Sequence, residues 1–281
     1  MILITGAKGQ LGTDFKKIFD SIGEPYIATD VEDLDITHKK DVEQFIAKNK
    51  VQLIINCAAY NNVDKAEIEQ DLCYSLNCHA PHNMAMAAKS AGAVFVTYST
   101  DFVFDGTKGQ PYTEDDMPNP LSVYAKSKYE GEQLVLHAYD RVFVIRTSWL
   151  FGKANKNFNT QVLDWSQKNT TLRIVDDQIS VPTYSYDLAR YSWMLILTQN
   201  FGLYHIVNAG QASKYDQAKY LLDRIGWNGT VVRAKSSEFN TPAQRPAYSK
   251  LDTSKFERVC NTTIPHWQDA IDRWLKEMNL L

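Results

Sequence analysis

Tyr124 and Lys128 stand four positions apart in Tyr124-Ala125-Lys126-Ser127-Lys128, a spacing that puts both side chains on one face of a helix. A phenol with an ordinary pKa near ~10 needs a neighbouring positive charge to exchange a proton near neutral pH, and Lys128 can supply it. The pair therefore reads as a general acid and its electrostatic partner. Taken alone, Tyr-x-x-x-Lys is usually a solvated helix face, so its weight depends on what surrounds it. Upstream, Tyr98-Ser99-Thr100-Asp101-Phe102-Val103-Phe104-Asp105-Gly106 puts small hydroxyls and a carboxylate at the end of an apolar run. There Thr100 can donate a hydrogen bond to a substrate oxygen, with strand-end capping as the competing explanation.

A second constellation supplies a place for a dinucleotide. The apolar run Ile2–Ile4 enters Thr5-Gly6-Ala7-Lys8-Gly9-Gln10-Leu11-Gly12, a glycine spacing that opens a helix. Gly6 makes the sharp exit turn, Gly9 lets the backbone approach a pyrophosphate, and Gly12 lets the helix pack on the sheet with its N-terminus facing the phosphates. A second strand run ends at Asp30, where a carboxylate can accept from the adenosine ribose; a turn or helix-capping role is the alternative. Asp30 would repel a 2′-phosphate, and no arginine occurs between Met1 and Asp140 to bind one. Electrostatics alone thus favour NADH, with Lys8, Lys39 and Lys40 available to offset the repulsion.

Positioning these residues requires alternating elements. Strand-like runs at Ile2–Thr5, Tyr26–Thr29, Leu53–Asn56, Ala93–Ser99 and Val142–Ser148 alternate with helical periodicity over Gln10–Ile22, Lys39–Lys48, Pro81–Ala91 and Tyr124–His137. The strand runs are almost continuously apolar, as in strands covered by helices on both faces. The predicted class is α/β, a doubly wound parallel sheet of Rossmann type over residues 1–150. Beyond Leu150 the pattern loosens around Pro182 and Pro242, and residues 151–281 are expected to form mainly a smaller substrate-binding lobe, with some segments free to return to the first domain. Strand candidates here are Leu172–Val175 and Leu203–Val207, and helix candidates are Tyr184–Leu197, Lys214–Ile225 and His266–Met278.

Thirty Lys+Arg against 33 Asp+Glu give a formal charge of −3, without the basic footprint that nucleic acid or an anionic membrane demands. Cys57, Cys73, Cys78 and Cys260 show no Cys-x-x-Cys spacing, and no apolar stretch approaches the ~20 residues of a membrane span, so a reduced, cytoplasmic protein is expected. Cys57 reads as a small hydrophobe in an apolar strand, and His79-x-x-His82 as a helix start rather than a metal site.

Together, T-G-x-x-G-x-x-G, S-T-D-F-V-F-D-G and Y-x-x-x-K resemble the extended short-chain dehydrogenase/reductase superfamily, and within it the family of dTDP-4-dehydrorhamnose reductases. The likeness runs on through Asn56-Cys57-Ala58-Ala59-Tyr60, Val63-Asp64-Lys65-Ala66-Glu67, Arg146-Thr147-Ser148-Trp149-Leu150-Phe151-Gly152, Asn157-Phe158, Asp177-Gln178, Pro182-Thr183 and Arg245-Pro246-Ala247-Tyr248-Ser249. The resemblance implies Tyr124 as general acid, Lys128 as its partner and a ribose contact, and Thr100 orienting the keto oxygen. It implies cofactor contacts at Gly6, Gly9, Gln10, Leu11, Gly12, Asp30, Asp35, Ile36, Ala58, Ala59 and Tyr60, and substrate contacts at Asp101, Val103, Trp149, Asn157 and Arg245. The expected reaction is reduction of the 4-keto group of a dTDP-linked 6-deoxyhexose by NADPH, with NADH also used, in a monomer or homodimer. The alternatives are a non-catalytic NADP-binding subunit like the regulatory subunit of methionine adenosyltransferase, or another extended short-chain enzyme such as an epimerase or dehydratase. A dehydratase needs a further acid–base pair, and Asp101-Phe102 offers one carboxylate.

Three sites depart from the family pattern: the pair Ser180-Val181 where Gly-Ser commonly follows Asp177-Gln178, Lys214 where an aromatic is common, and Phe102 where tyrosine is usual. Some members dimerise through a magnesium site. Asp14 and Asp187 correspond to two of its carboxylates but a third is missing, so no metal is expected.

Overall fold

The computed structural model describes residues 1–281. Its centre is a six-stranded, wholly parallel sheet containing β1 (Ile2–Thr5), β2 (Tyr26–Thr29), β3 (Leu53–Asn56), β4 (Val94–Thr100) and β5 (Val142–Thr147). The strand order is β2-β1-β3-β4-β5, followed by a sixth strand, Gly202–His205. Alternation along β1 explains why this sheet is apolar on both faces. Ile2 and Ile4 enter one core with Phe15 and Phe19 of α1 (Gln10–Ile22), while Leu3 enters another with Val42, Ile46 and Met84 from the helices Lys39–Lys48 and Ala80–Ala91. The chain winds outward from β1 to β2, then reverses to β3 on the other side. That reversal opens a crevice at the carboxyl ends of β1 and β3, the position where doubly wound sheets bind ligands.

The two halves of the chain interleave. The helix Ser185–Thr198 contributes Leu188, Leu195 and Ile196 to the core beneath α1, and Phe256 of Ser254–Cys260 joins them. In the opposite direction, Val103, Phe104 and Tyr112 leave the first half to pack with Phe151, Tyr184 and Trp274 in the core of the second lobe. Around that core lie the helices Phe158–Ser166, Lys214–Arg224 and Trp267–Glu277 and a parallel strand pair, Thr171–Val175 with Thr230–Ala234.

Sequence periodicity located the long elements to within a residue or two but passed over several short ones. Val63–Ala66, Gln70–Tyr74 and the π-helical turn Ser75–His79 span one turn each, too short to develop a 3.6-residue apolar stripe. Cys57 lies one residue beyond β3 rather than within it, at the mouth of the crevice. Of the two carboxylates weighed for a metal, buried Asp14 accepts from Ser185, and Asp187 is paired with Arg273 and accepts from Asn208. No helix is long and apolar enough to cross a membrane.

Candidate active site

The crevice is a cleft of about 460 Å³ whose wall includes Gly9, Gln10, Leu11, Ala59, Ser99, Thr100, Tyr124, Lys128 and Trp149. A larger, shallower depression of about 680 Å³ lies where Val51-Gln52 and Ala91 lead into β3 and β4, at the opposite edge of the sheet and away from Tyr124 and Lys128.

Each side of the cleft has a distinct origin. The glycine turn requires its glycines: Gly6 has φ +64°, and a Cβ there would stand 2.6 Å from the Ala58 nitrogen. A Cβ on Gly12 would meet the Gly6 carbonyl oxygen at 2.5 Å. Gly9 precedes α1 without any side-chain cap, leaving the first-turn N–H groups of Gln10, Leu11 and Gly12 for an anion. Asp30 lies beside this turn, its carboxylate accepting from the backbone N–H groups of Lys8 and Val31, both at 2.9 Å. Lys8 Nζ is drawn away to Glu32 at 2.8 Å on the exposed rim. Asp35 accepts from Thr37, which holds its carboxyl below the usual range, and Ile36 is buried in the core below.

Tyr124 and Lys128 come from the helix Val123–Ala138, capped by Ser122, whose hydroxyl accepts from Ala125 N. Tyr124 and Lys128 are both buried, and Lys128 Nζ donates to the Tyr98 carbonyl at 3.2 Å. Burial pulls the ammonium down to about 8. Burial likewise raises the Tyr124 phenol, opposed in part by the nearby Thr100 hydroxyl, so the phenol carries its proton at neutral pH. Thr100 is the last residue of β4, and its Oγ1 also accepts from Phe102 N at 3.2 Å, the strand-end cap that the sequence allowed. Phe102 meets the Tyr124 ring edge-on at 6.4 Å, so the ring that replaces the usual tyrosine still packs.

Two supports were not legible in the sequence. Asn77, in the π-helical turn, accepts from Tyr60 N at 2.9 Å and donates to Tyr60 O at 3.0 Å and to Ser127 Oγ at 3.2 Å, tying the loop after β3 to the helix that carries Tyr124 and Lys128. The Tyr60 hydroxyl turns outward to Glu69, which pushes the phenol up to about 12. Deeper, Arg146 of β5 forms a fully buried ion pair with Glu132, one turn beyond Lys128, and meets His205 of the sixth strand at 3.4 Å. Burial and the arginine pull His205 down to about 3, so it remains neutral. Neither support has a local pattern; each exists because the topology brings distant polar groups together.

On the far side of the cleft, Trp149 has φ +41°, an unusual backbone for an aromatic residue and one that marks functional sites. Asp101 is buried, accepts from Ser180 Oγ at 2.7 Å and from Ser249 and Thr100, and is pushed up to about 6 by burial. Ser180, one of the departures from the family pattern, thereby becomes a support for Asp101. Arg245 pairs with Asp64 at 2.7 Å and donates to Ala243 O. Asn157 caps the helix Phe158–Ser166 and donates to Gly152 O at 2.9 Å and Gln10 at 3.3 Å, while Val103 is fully buried in the second core. The structure thus gathers Thr100, Tyr124, Lys128, Gln10, Leu11, Ala59 and Trp149 around one cavity and places Asn157 and Val103 in its framework.

The residues fit a dinucleotide. Besides the free first-turn N–H groups, Ser99 Oγ and Thr147 Oγ1 are buried in the cleft wall without partners, and a ribose or amide group would supply them. No group of three or more His, Cys, Asp or Glu side chains is arranged to hold a metal ion.

A parallel doubly wound sheet with this glycine turn and a Tyr–Lys pair at its carboxyl edge defines an extended short-chain dehydrogenase/reductase. More narrowly, residues 1–280 match the family described as RmlD substrate binding domain, and the chain belongs to it. Among its relatives, the dTDP-4-dehydrorhamnose reductase of Aggregatibacter actinomycetemcomitans is 38% identical, covering 96% of each chain. Among solved structures, a dTDP-4-dehydrorhamnose reductase from Clostridium acetobutylicum superimposes with a TM-score of 0.96 at 37% identity over 99% of each chain. One from Bacillus anthracis in complex with NADP gives 0.95 at 35% identity over 98% of each.

Proposed function

We propose that this chain reduces the 4-keto group of dTDP-4-dehydrorhamnose to give dTDP-L-rhamnose, using NADPH and also accepting NADH. The observation that carries this reading is the meeting of Tyr124, Lys128 and Thr100 in one cleft beside an uncapped helix N-terminus, in a chain that matches reductases of that name along nearly its whole length. The dinucleotide, when bound, supplies the hydride. Tyr124 delivers its proton to the C4 oxygen as charge develops there, and Lys128 stabilises the resulting phenolate. Thr100, its hydroxyl turned from Asp101, donates to the same oxygen and fixes its position. Gly6, Gly9, Gln10, Leu11 and Gly12 hold the pyrophosphate, with Asp30, Asp35 and Ile36 towards the adenosine and Ala58, Ala59 and Tyr60 along the dinucleotide. Trp149, Asp101 and Arg245 face the nucleotide sugar; a guanidinium matches phosphate oxygens through its fork of donors.

The test is oxidation of NADPH by the purified chain with dTDP-4-dehydrorhamnose, followed by identification of the sugar product. Oxidation that depends on the sugar and yields dTDP-rhamnose is expected. Tight NADPH binding without turnover would replace this reading with that of a regulatory subunit.

A further inference from the structure

Lys214 lies among the residues placed against the substrate. Its Nζ sits 3.6 Å from the centre of the Trp149 ring and 4.5 Å from that of Phe158, and it feels the charges of both Asp101 and Arg245. This position is electrostatically costly in three ways. Lys214 opens the helix Lys214–Arg224, where the positive end of the helix dipole disfavours a cation. Arg245 repels it, and burial strips water from the ammonium, pulling it down to about 7. The two aromatic faces offset part of that cost. The nearby carboxylates are already engaged: Asp64 balances Arg245, and Asp101 accepts from Ser180, Ser249 and Thr100. Lys214 is therefore a cation without a carboxylate partner, beside the cleft wall and next to a second cation.

We propose that Lys214 is a substrate-binding residue that holds the diphosphate of the nucleotide-sugar substrate from its seat on the Trp149 ring, with Arg245 as a second cation nearby. This rests on the nucleotide-sugar reading above. An anion with several charges relieves the repulsion between the two cations and supplies Lys214 with acceptors, which a sugar hydroxyl alone does not do.

The experiment is calorimetric titration of dTDP into the full chain saturated with NADP+, for the wild type, K214M and K214R. Loss of a charge-assisted hydrogen bond to phosphate predicts that K214M weakens dTDP binding by about tenfold or more. K214R should recover most of that loss, and NADP+ affinity should be the same in all three. Wild-type dTDP affinity in K214M, or an equal loss in K214M and K214R, would overturn the proposal while leaving the reductase reading intact. Failure of the wild type to bind dTDP would overturn the nucleotide-sugar reading, and the Lys214 assignment with it.

Discussion

The two sides of the cleft are built by different means. The catalytic side is local: Tyr124 and Lys128 share one capped helix, and Thr100 closes the neighbouring strand. The substrate side is assembled from afar. Asp101 meets Ser249 across 148 positions, Asp64 meets Arg245 across 181, and Lys214 reaches Trp149 and Phe158 from another helix. On the proposed function, reaction type therefore resides in a compact unit anchored to the sheet. Substrate choice on the same reading resides in contacts between distant segments, joined to that unit through the Thr100–Asp101 hydrogen bond.

Breaking the catalytic side should have the largest effect. Tyr124→Phe removes the acidic proton while keeping the ring against Phe102, so turnover should fall on the order of 10²–10⁴-fold, with NADPH affinity largely kept. Near-normal turnover would remove Tyr124 from the mechanism. Lys128 tests the same side through pH. Because burial pulls its ammonium down to about 8, the charge that supports Tyr124 disappears as pH rises through that value. The expected profile of kcat/KM, which reports ionisations of the free enzyme, is therefore a falling alkaline limb near pH 8. Lys128→Met should remove the limb near pH 8, leaving the earlier fall set by Lys214 near 7, and should lower turnover and weaken cofactor binding; unchanged cofactor affinity would exclude the ribose contact.

The substrate side should respond differently. Arg245→Ala removes the Asp64 pair and a phosphate donor, and is expected to raise the substrate KM while changing NADPH affinity little. Equal damage to both ligands would point to collapse of the second lobe instead. The smallest effect belongs to the adenosine end, where Asp30 accepts from the Lys8 and Val31 N–H groups. Asp30→Ala should shift the ratio of kcat/KM for NADPH over NADH towards NADPH if the carboxylate faces the ribose. An unchanged ratio would confine Asp30 to holding the glycine turn.

The sequence by itself determined the alternation of strands and helices, the glycine turn and the Tyr–Lys spacing, because each depends on neighbours a few residues apart. A strand's apolar run and a helix's four-residue repeat are set by backbone geometry before any tertiary contact forms. The same reasoning could not show that the sheet is completed by Gly202–His205, or that Val103 crosses into the second core. Nor could it find the Asn77 clasp on Tyr60 or the buried Arg146–Glu132 pair, whose partners are far apart in the chain or lie in irregular turns. Asn157 shows the limit most directly. Its side chain is equally suited to a ligand or a helix end, and only the packed structure, by placing Gly152 and Gln10 beside its amide, committed it to the cap. A polar side chain's role depends on which partners burial leaves within reach, and that is decided by the whole fold.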